Sequence, residues 1–437
     1  MGRVNIKNII LVGLLLLLFM PLIQKTFPFV EVKPLNGTFW PIAEPDSIQI
    51  NWFSGEYQKQ YEGYFNENFG LRTLLVRLYN QYTYSLYEQV HCLGVIVGKN
   101  NQLFQDFYID AYSGKDFVGI TEIQEKCFKL KKIQDTLSNK GIHLIVMLAP
   151  GKADFFPEYI PEEYNEILHK NLPTNYQLFS SELKEKKINT IDFNKWYIEH
   201  KDKTDFPLYP QGGVHWSVYG AAFAADTLIE NMKRIANENY IDIKINRGEI
   251  RDTIPVPDRE LTDGMNLIFP LPAYKTAFPN LEFDTVNRTK PNVLTISDSY
   301  FNNLNEVGLF KNGFSDQSLN LESFYMSHSV FTNNYLYVSL LDLQKEIESR
   351  KFVIIITTAP NLNRFGWGFI EKTYDLYFNI DKKKEKEEQI KKWETKIIHT
   401  PEWYESVKQQ AKEKGNTIEV ELKLHAEYMI WKEETTP

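Results

Sequence analysis

Two short stretches hold residue types that could carry out nucleophilic chemistry. In TISDSYF, a serine follows an apolar run, with an aspartate before it and an aromatic ring after it. A buried strand ending in serine presents the hydroxyl at the sheet rim, where N–H groups of the next turn can hold an oxyanion. Ser299 is the candidate nucleophile. Ser297 lies one strand period back, facing the same way but deeper. Ser299 reads equally well as the cap of a following helix. In GGVHWSVYGAA, His215 sits in a glycine-flanked turn ahead of a helical segment, a setting none of the other seven histidines shares. A serine nucleophile needs such a base within hydrogen-bond reach. A lone histidine is more often a structural ring, so the argument rests on the two stretches together.

Taken as a pair, His215-Trp216 upstream and Ser299-Tyr300 downstream resemble the alginate O-acetyltransferase family (AlgX and AlgJ), a branch of the SGNH hydrolases. That family carries Asp-x-His-Trp before its Ser-Tyr or Ser-Phe motif, the reverse of the usual order in SGNH enzymes. ENFGLR near Glu67, GVIVGKNNQLF near Gly94 and VMLAPGKADFFPEYIP near Pro150 are similar to it as well, so the resemblance runs over roughly residues 55–375. It implies a three-layer SGNH-like α/β domain with a mostly parallel sheet. It also implies transfer of acetyl groups to an extracytoplasmic polysaccharide, with the acetyl supplied across the membrane by a separate membrane-bound O-acyltransferase. The family's aspartate two residues before histidine is Gly213 here. Aspartate fixes the imidazole tautomer and stabilises the imidazolium, and its loss costs several orders of magnitude in rate. Three readings stay open: Asp205 or Asp298 substitutes, a Ser-His dyad suffices, or the domain is a non-catalytic glycan-binding scaffold. A carbohydrate acetyl esterase would use the same pair with water as the acceptor.

Weaker signals surround this pair. TTAPNLNRFGWGF places Asn361 and Arg364 just past an apolar run. The resemblance implies an asparagine amide in the oxyanion hole, and Asn361 is the expected group. Arg364, Trp367, Trp216 and Tyr300 are candidate substrate contacts, since aromatic faces and planar donors suit sugars. Lys152, past another apolar run, could steer an anionic substrate.

The elements that must position these groups can be read from periodicity. HLIVMLAP, INTIDF, NVLTISDSYF and FVIIITTAP are short apolar runs separated by helical segments. That alternation predicts a parallel, helix-covered sheet with ligands at the carboxyl ends of its strands. Glu122–Lys140 reads as an amphipathic helix, and GVIVGKNNQLF as strand, turn and strand. The expected organisation is an anchor over 1–25, a linker over 26–60, the main domain over 61–380 and a C-terminal helical appendage over 381–437. In the appendage Ile390, Trp393 and Ile397 share a stripe, and the charge run KKKEKEEQ is a solvated face.

The 437 residues are 43% hydrophobic and 14% aromatic, which supports a large core and argues against disorder. A net charge of −8 with no basic patch excludes nucleic acid as the expected partner. Cys92 and Cys127 lack metal spacing, and no P-loop, dinucleotide turn or His/Cys cluster appears, so no cofactor is expected. Arg3 and Lys7 precede the apolar run Ile9–Ile23, and no small-residue cleavage site follows. This predicts an uncleaved signal anchor in the inner membrane with the remaining chain on the periplasmic side.

Overall fold

The computed structural model describes residues 6–37, 42–46, 52–251, 258–269, 271–272, 274–329, 331–332 and 334–435; for 251, 380–386 and 433–435 it describes the backbone alone. Arg3 and parts of the expected linker lie outside the described residues. The chain forms two compact units. The first comprises residues 1–106, 211–214 and 254–274; the second comprises 107–210, 215–253 and 275–437.

In the first unit, α1 (Ile6–Thr26) is 21 residues with a mean hydropathy of 2.5, long and apolar enough to cross a membrane. Two helices follow, α2 (Glu56–Asn68) and α3 (Arg72–Tyr87), bent apart at Phe69–Leu71. The ENFGLR motif makes this bend. Arg72 pairs with Glu67 at 2.7 Å and donates to the Asn66 carbonyl, while Gly70 lies so close to Pro21 that a Cβ would collide with its carbonyl. Arg77 donates to the carbonyls of Lys33 and Pro34, fastening that part of the linker to α3. The short strands β1 (Val95–Val97) and β2 (Leu103–Gln105) pair antiparallel, as their sequence predicts.

The second unit is built on a seven-stranded sheet. Its strands are β3 (His143–Ala149), β4 (Thr190–Asp192), β7 (Val293–Ser297), β8 (Leu319–Glu322), β9 (Met326–Ser329), β10 (Asn334–Tyr337) and β11 (Phe352–Thr358), in the order β10-β9-β8-β7-β11-β3-β4. From β8 to β4 every pairing is parallel; β9 and β10 add an antiparallel edge. The four apolar runs read from sequence are therefore β3, β4, β7 and β11. Strands β5 (Asp242–Arg251) and β6 (Thr276–Asp284) form a separate antiparallel pair.

Alternation along the strands sends Leu144, Val146, Leu148, Leu294, Ile296, Val353 and Ile355 to one face. There the helix Ile120–Asn139 lays down Ile123, Cys127, Leu130, Ile133 and Leu137, all inaccessible, with the helices Asn175–Glu185 and Phe369–Phe378 beside it. The alternate residues Ile145, Met147, Ile354 and Ile356 are buried on the other face. That side is covered by helices including Phe193–His200 and Tyr300–Glu306, and Val218–Ala236 packs on the latter. The result is an SGNH-like α/β sandwich of helix, sheet and helix. At its C-terminal end, the helices Ile380–Ile398, Pro401–Lys414 and Ile418–Thr435 close a small core of Ile397, Val407, Leu422 and Ala426, with Ile390 and Trp393 packed on it.

Candidate active site

Three adjacent strands deliver their carboxyl ends together: β7 leads to Ser299, β11 ends at Thr358, and β3 leads to Pro150. Ser299 is exposed while its neighbours Asp298 and Tyr300 are buried, so the hydroxyl is the accessible point of a packed turn. It stands at the N-cap of Tyr300–Glu306 but makes no side-chain capping bond. Asp298 serves there instead, its Oδ1 accepting from the Tyr300 N–H at 3.1 Å. The helix cap therefore does not account for Ser299. Ser297 is buried and donates to Asn320 Oδ1, as its deeper position predicts.

His215 Nε2 lies 2.8 Å from Ser299 Oγ. For the hydroxyl to donate across that distance, Nε2 must be bare and the ring proton must sit on Nδ1. The imidazole rests on the Tyr300 ring with centroids 5.0 Å apart. The segment after His215 is bolted to the serine's own helix. Trp216 Nε1 donates to the Tyr300 carbonyl at 3.2 Å, and Asn303 Nδ2 returns a bond to the Trp216 carbonyl at 2.9 Å. Ser217 caps Val218–Ala236 through the Gly220 N–H and donates to the Pro207 carbonyl. Tyr300 is held from below by a relay of phenols. Tyr108 donates to Tyr300, Tyr300 to Tyr209, and Tyr209 to the Pro150 carbonyl. Burial pushes the Tyr209 and Tyr300 phenols well above their ordinary range, which keeps the relay neutral.

Several sequence expectations change in the folded chain. Asp298 does not turn to the histidine. Its Oδ2 accepts from the Thr358 N–H, the Thr358 hydroxyl and Asn361 Nδ2 at 2.9, 2.8 and 2.8 Å. The same Asn361 amide also donates to Thr358 Oγ1, so both its hydrogens face inward rather than towards an oxyanion. The N–H groups of Tyr300 and Phe301 are likewise taken, by the Asp298 side chain and carbonyl. Asp205 is exposed and lies beside Tyr219. Trp216 is inaccessible, packed between Tyr197 and Tyr300, and offers no face to a sugar. Tyr300 is buried too and positions rather than contacts. Lys152 is inaccessible, so it does not meet an incoming polyanion. Trp367 is half-buried against the core, while Arg364 is exposed, with Nε and Nη2 on Asn361 Oδ1. Sequence reasoning missed Thr358, Tyr108 and Tyr209, the groups that hold the turn. A threonine at the end of a buried strand was the available signal for the first; the tyrosines carry none.

The loop that leads into His215 belongs to the first unit up to Val214. Gly213 has no room for a side chain. A Cβ there would lie 2.7 Å from the Asp258 carbonyl oxygen and 2.8 Å from Glu260 Oε2.

Comparison with known proteins agrees with this architecture. The family model described as SGNH hydrolase-like domain, acetyltransferase AlgX, matches residues 95–257, a span that includes His215 and stops before Ser299. Similar curated proteins are the probable alginate O-acetylases AlgJ of Pseudomonas putida, 23% identical over 186 residues, and of Pseudomonas aeruginosa, 26% identical over 224 residues. These alignments cover 43% and 49% of this chain and 46% and 54% of theirs, so the chain spans about half the length of the curated relatives it matches. Among solved structures, the O-acetyltransferase domain of P. putida AlgJ aligns with a TM-score of 0.43 at 18% identity, covering 64% of this chain and 99% of that one. P. aeruginosa AlgX aligns with a TM-score of 0.39 at 14% identity, covering 63% and 67%. By sequence the chain is similar to the AlgX/AlgJ family, and the domain that carries Ser299 and His215 is SGNH hydrolase-like.

Proposed function

We propose that this protein is an O-acetyltransferase that acetylates an extracytoplasmic polysaccharide through Ser299 and His215. The observation that carries the reading is the 2.8 Å contact between His215 Nε2 and an exposed Ser299 Oγ that caps nothing. In the first half-reaction Oγ attacks the acetyl carbonyl of the donor, and its proton passes to Nε2. The tetrahedral adduct collapses to acetyl-Ser299, and the imidazolium returns the proton to the departing oxygen. In the second half a sugar hydroxyl gives its proton to Nε2 and attacks the acetyl-serine, which releases the acetylated polymer and restores Ser299. Water in place of the sugar would make the same pair an esterase.

The names of the similar proteins support acetyl transfer to a polysaccharide, alginate in their case. The apolar helix α1, preceded in the described residues by Lys7, supports a single-pass anchor with the catalytic domain on the periplasmic side. That placement suits a membrane-bound O-acyltransferase as the acetyl source. The test is turnover of a chromogenic acetyl ester by the full chain in detergent, with an oligosaccharide acceptor added or withheld. Ser299→Ala and His215→Ala should each reduce turnover by about 10³-fold or more while melting like the wild type. Acetyl-oligosaccharide formed only with intact Ser299 supports transfer. Unchanged turnover in Ser299→Ala refutes the assignment.

A further inference from the structure

A histidine base works poorly without a group that fixes its tautomer and aim, and that group is ordinarily a carboxylate. Here the residue two positions before His215 is glycine, Asp298 is committed to Thr358, Asn361 and Tyr300, and Asp205 lies beside Tyr219. Within the first unit, one carboxylate is built into the loop that leads to the histidine. Glu260 opens the short helical turn Glu260–Gly264. Its Oε1 accepts from the Val214 N–H at 2.9 Å, and its Oε2 stands 2.8 Å from the place where a Cβ of residue 213 would be. The turn clamps the loop a second time: the N–H groups of Leu261 and Thr262 both donate to the Gly212 carbonyl at 3.0 Å. The other charged groups of the segment are Asp258, which is buried, and Arg259, which pairs with Asp263.

From this we infer that Glu260 is the positioning residue for the histidine. Its carboxylate occupies the space of a residue-213 side chain and holds Val214, one peptide bond from His215, so that the base is delivered to Ser299 in a fixed orientation. This also explains the glycine. An aspartate at 213 would compete for the volume that Glu260 and the Asp258 carbonyl already fill. The inference rests on the Ser299–His215 reading.

The experiment is the pH dependence of acetyl-ester turnover by the full chain in detergent, for wild type, Ser299→Ala, Glu260→Gln, Glu260→Asp and Asp258→Asn, each checked by a thermal melt. Glu260→Gln keeps an oxygen for the Val214 N–H and removes the charge. It should lower kcat by between about 10- and 10⁴-fold with KM little changed. It should also move the acid limb of kcat/KM to lower pH, because a nearby negative charge favours the imidazolium. Glu260→Asp keeps the charge and should fall between wild type and Glu260→Gln in kcat, with a limb near that of the wild type. If Glu260→Gln does not fold, Glu260→Asp decides: a limb displaced from the wild-type position overturns the inference. Wild-type kcat and an unmoved limb in Glu260→Gln also overturn it, as does loss confined to Asp258→Asn. An active Ser299→Ala fails the underlying reading instead, so the two failures are told apart.

Discussion

Replacing Asp298 by asparagine tests whether this residue organises the nucleophile's turn. Four hydrogen bonds converge on its carboxylate: three at Oδ2 from Thr358 N, Thr358 Oγ1 and Asn361 Nδ2, and one at Oδ1 from Tyr300 N. The side chain is 4% exposed, so water does not replace a lost partner. An asparagine can present its oxygen to the Thr358 and Asn361 donors, but its NH₂ then faces the Tyr300 N–H. The three retained bonds lose their charge assistance, roughly 1 kcal/mol each, and the orphaned Tyr300 N–H costs about 1–3 kcal/mol more. Removing a buried charge returns part of that total. The net loss should be about 2–4 kcal/mol in the unfolding transition of the second unit, read from urea midpoints by intrinsic fluorescence. Turnover should fall as well, because the same bonds tie the strand end at Thr358 to the residue before Ser299. A destabilisation below about 0.5 kcal/mol with full turnover would refute the reasoning, since it would mean that the four bonds are not holding the turn.

Two further outcomes follow from buried groups of the second unit. Burial drives the Asp154 carboxyl up to about 7, opposed by a hydrogen bond from Asn194 and reinforced by the charges of Asp116 and Asp192. A carboxyl raised in the folded state binds its proton more tightly there than in the unfolded chain. Wild-type stability should therefore fall as pH rises from about 4 to about 7. Asp154→Asn should remove that slope and gain up to about 4 kcal/mol over wild type at pH 8.5, measured by urea midpoints across pH. Parallel pH profiles for the two proteins would contradict it. Tyr209→Phe keeps the ring but cuts the relay between Tyr300 and the Pro150 carbonyl. It should cost about 1–2 kcal/mol in thermal unfolding, and an unchanged melt would mean that the relay does not support Tyr300.

Where the sequence could be read and where it could not follows from how far each interaction reaches. The parallel strands were legible because a strand buried on both faces must be a continuous apolar run, as in LIVMLA and FVIII. The sheet's antiparallel edge was not, since NLNLE, YMSHS and NYLY are short and half-exposed, with no run to announce them. Ser299 and His215 could be picked out because each sits in a local context that chemistry requires, a strand end and a glycine-flanked turn. The partners of Asp298 lie 60 and 63 residues away, and Glu260 lies 46 residues from Val214, so no local pattern joins them. Trp216 and Lys152 failed as substrate contacts for a related reason. A tryptophan beside a catalytic histidine has the same sequence context whether its ring stacks on a sugar or packs on Tyr197 and Tyr300, and only the fold separates the two. Gly213 combines both cases. Read locally, it is a missing aspartate; read with the turn that packs on it, it is the space in which a glutamate from a distant segment stands. A carboxylate function tied to a backbone position can move to another part of the chain, provided that the original position becomes small enough to admit it.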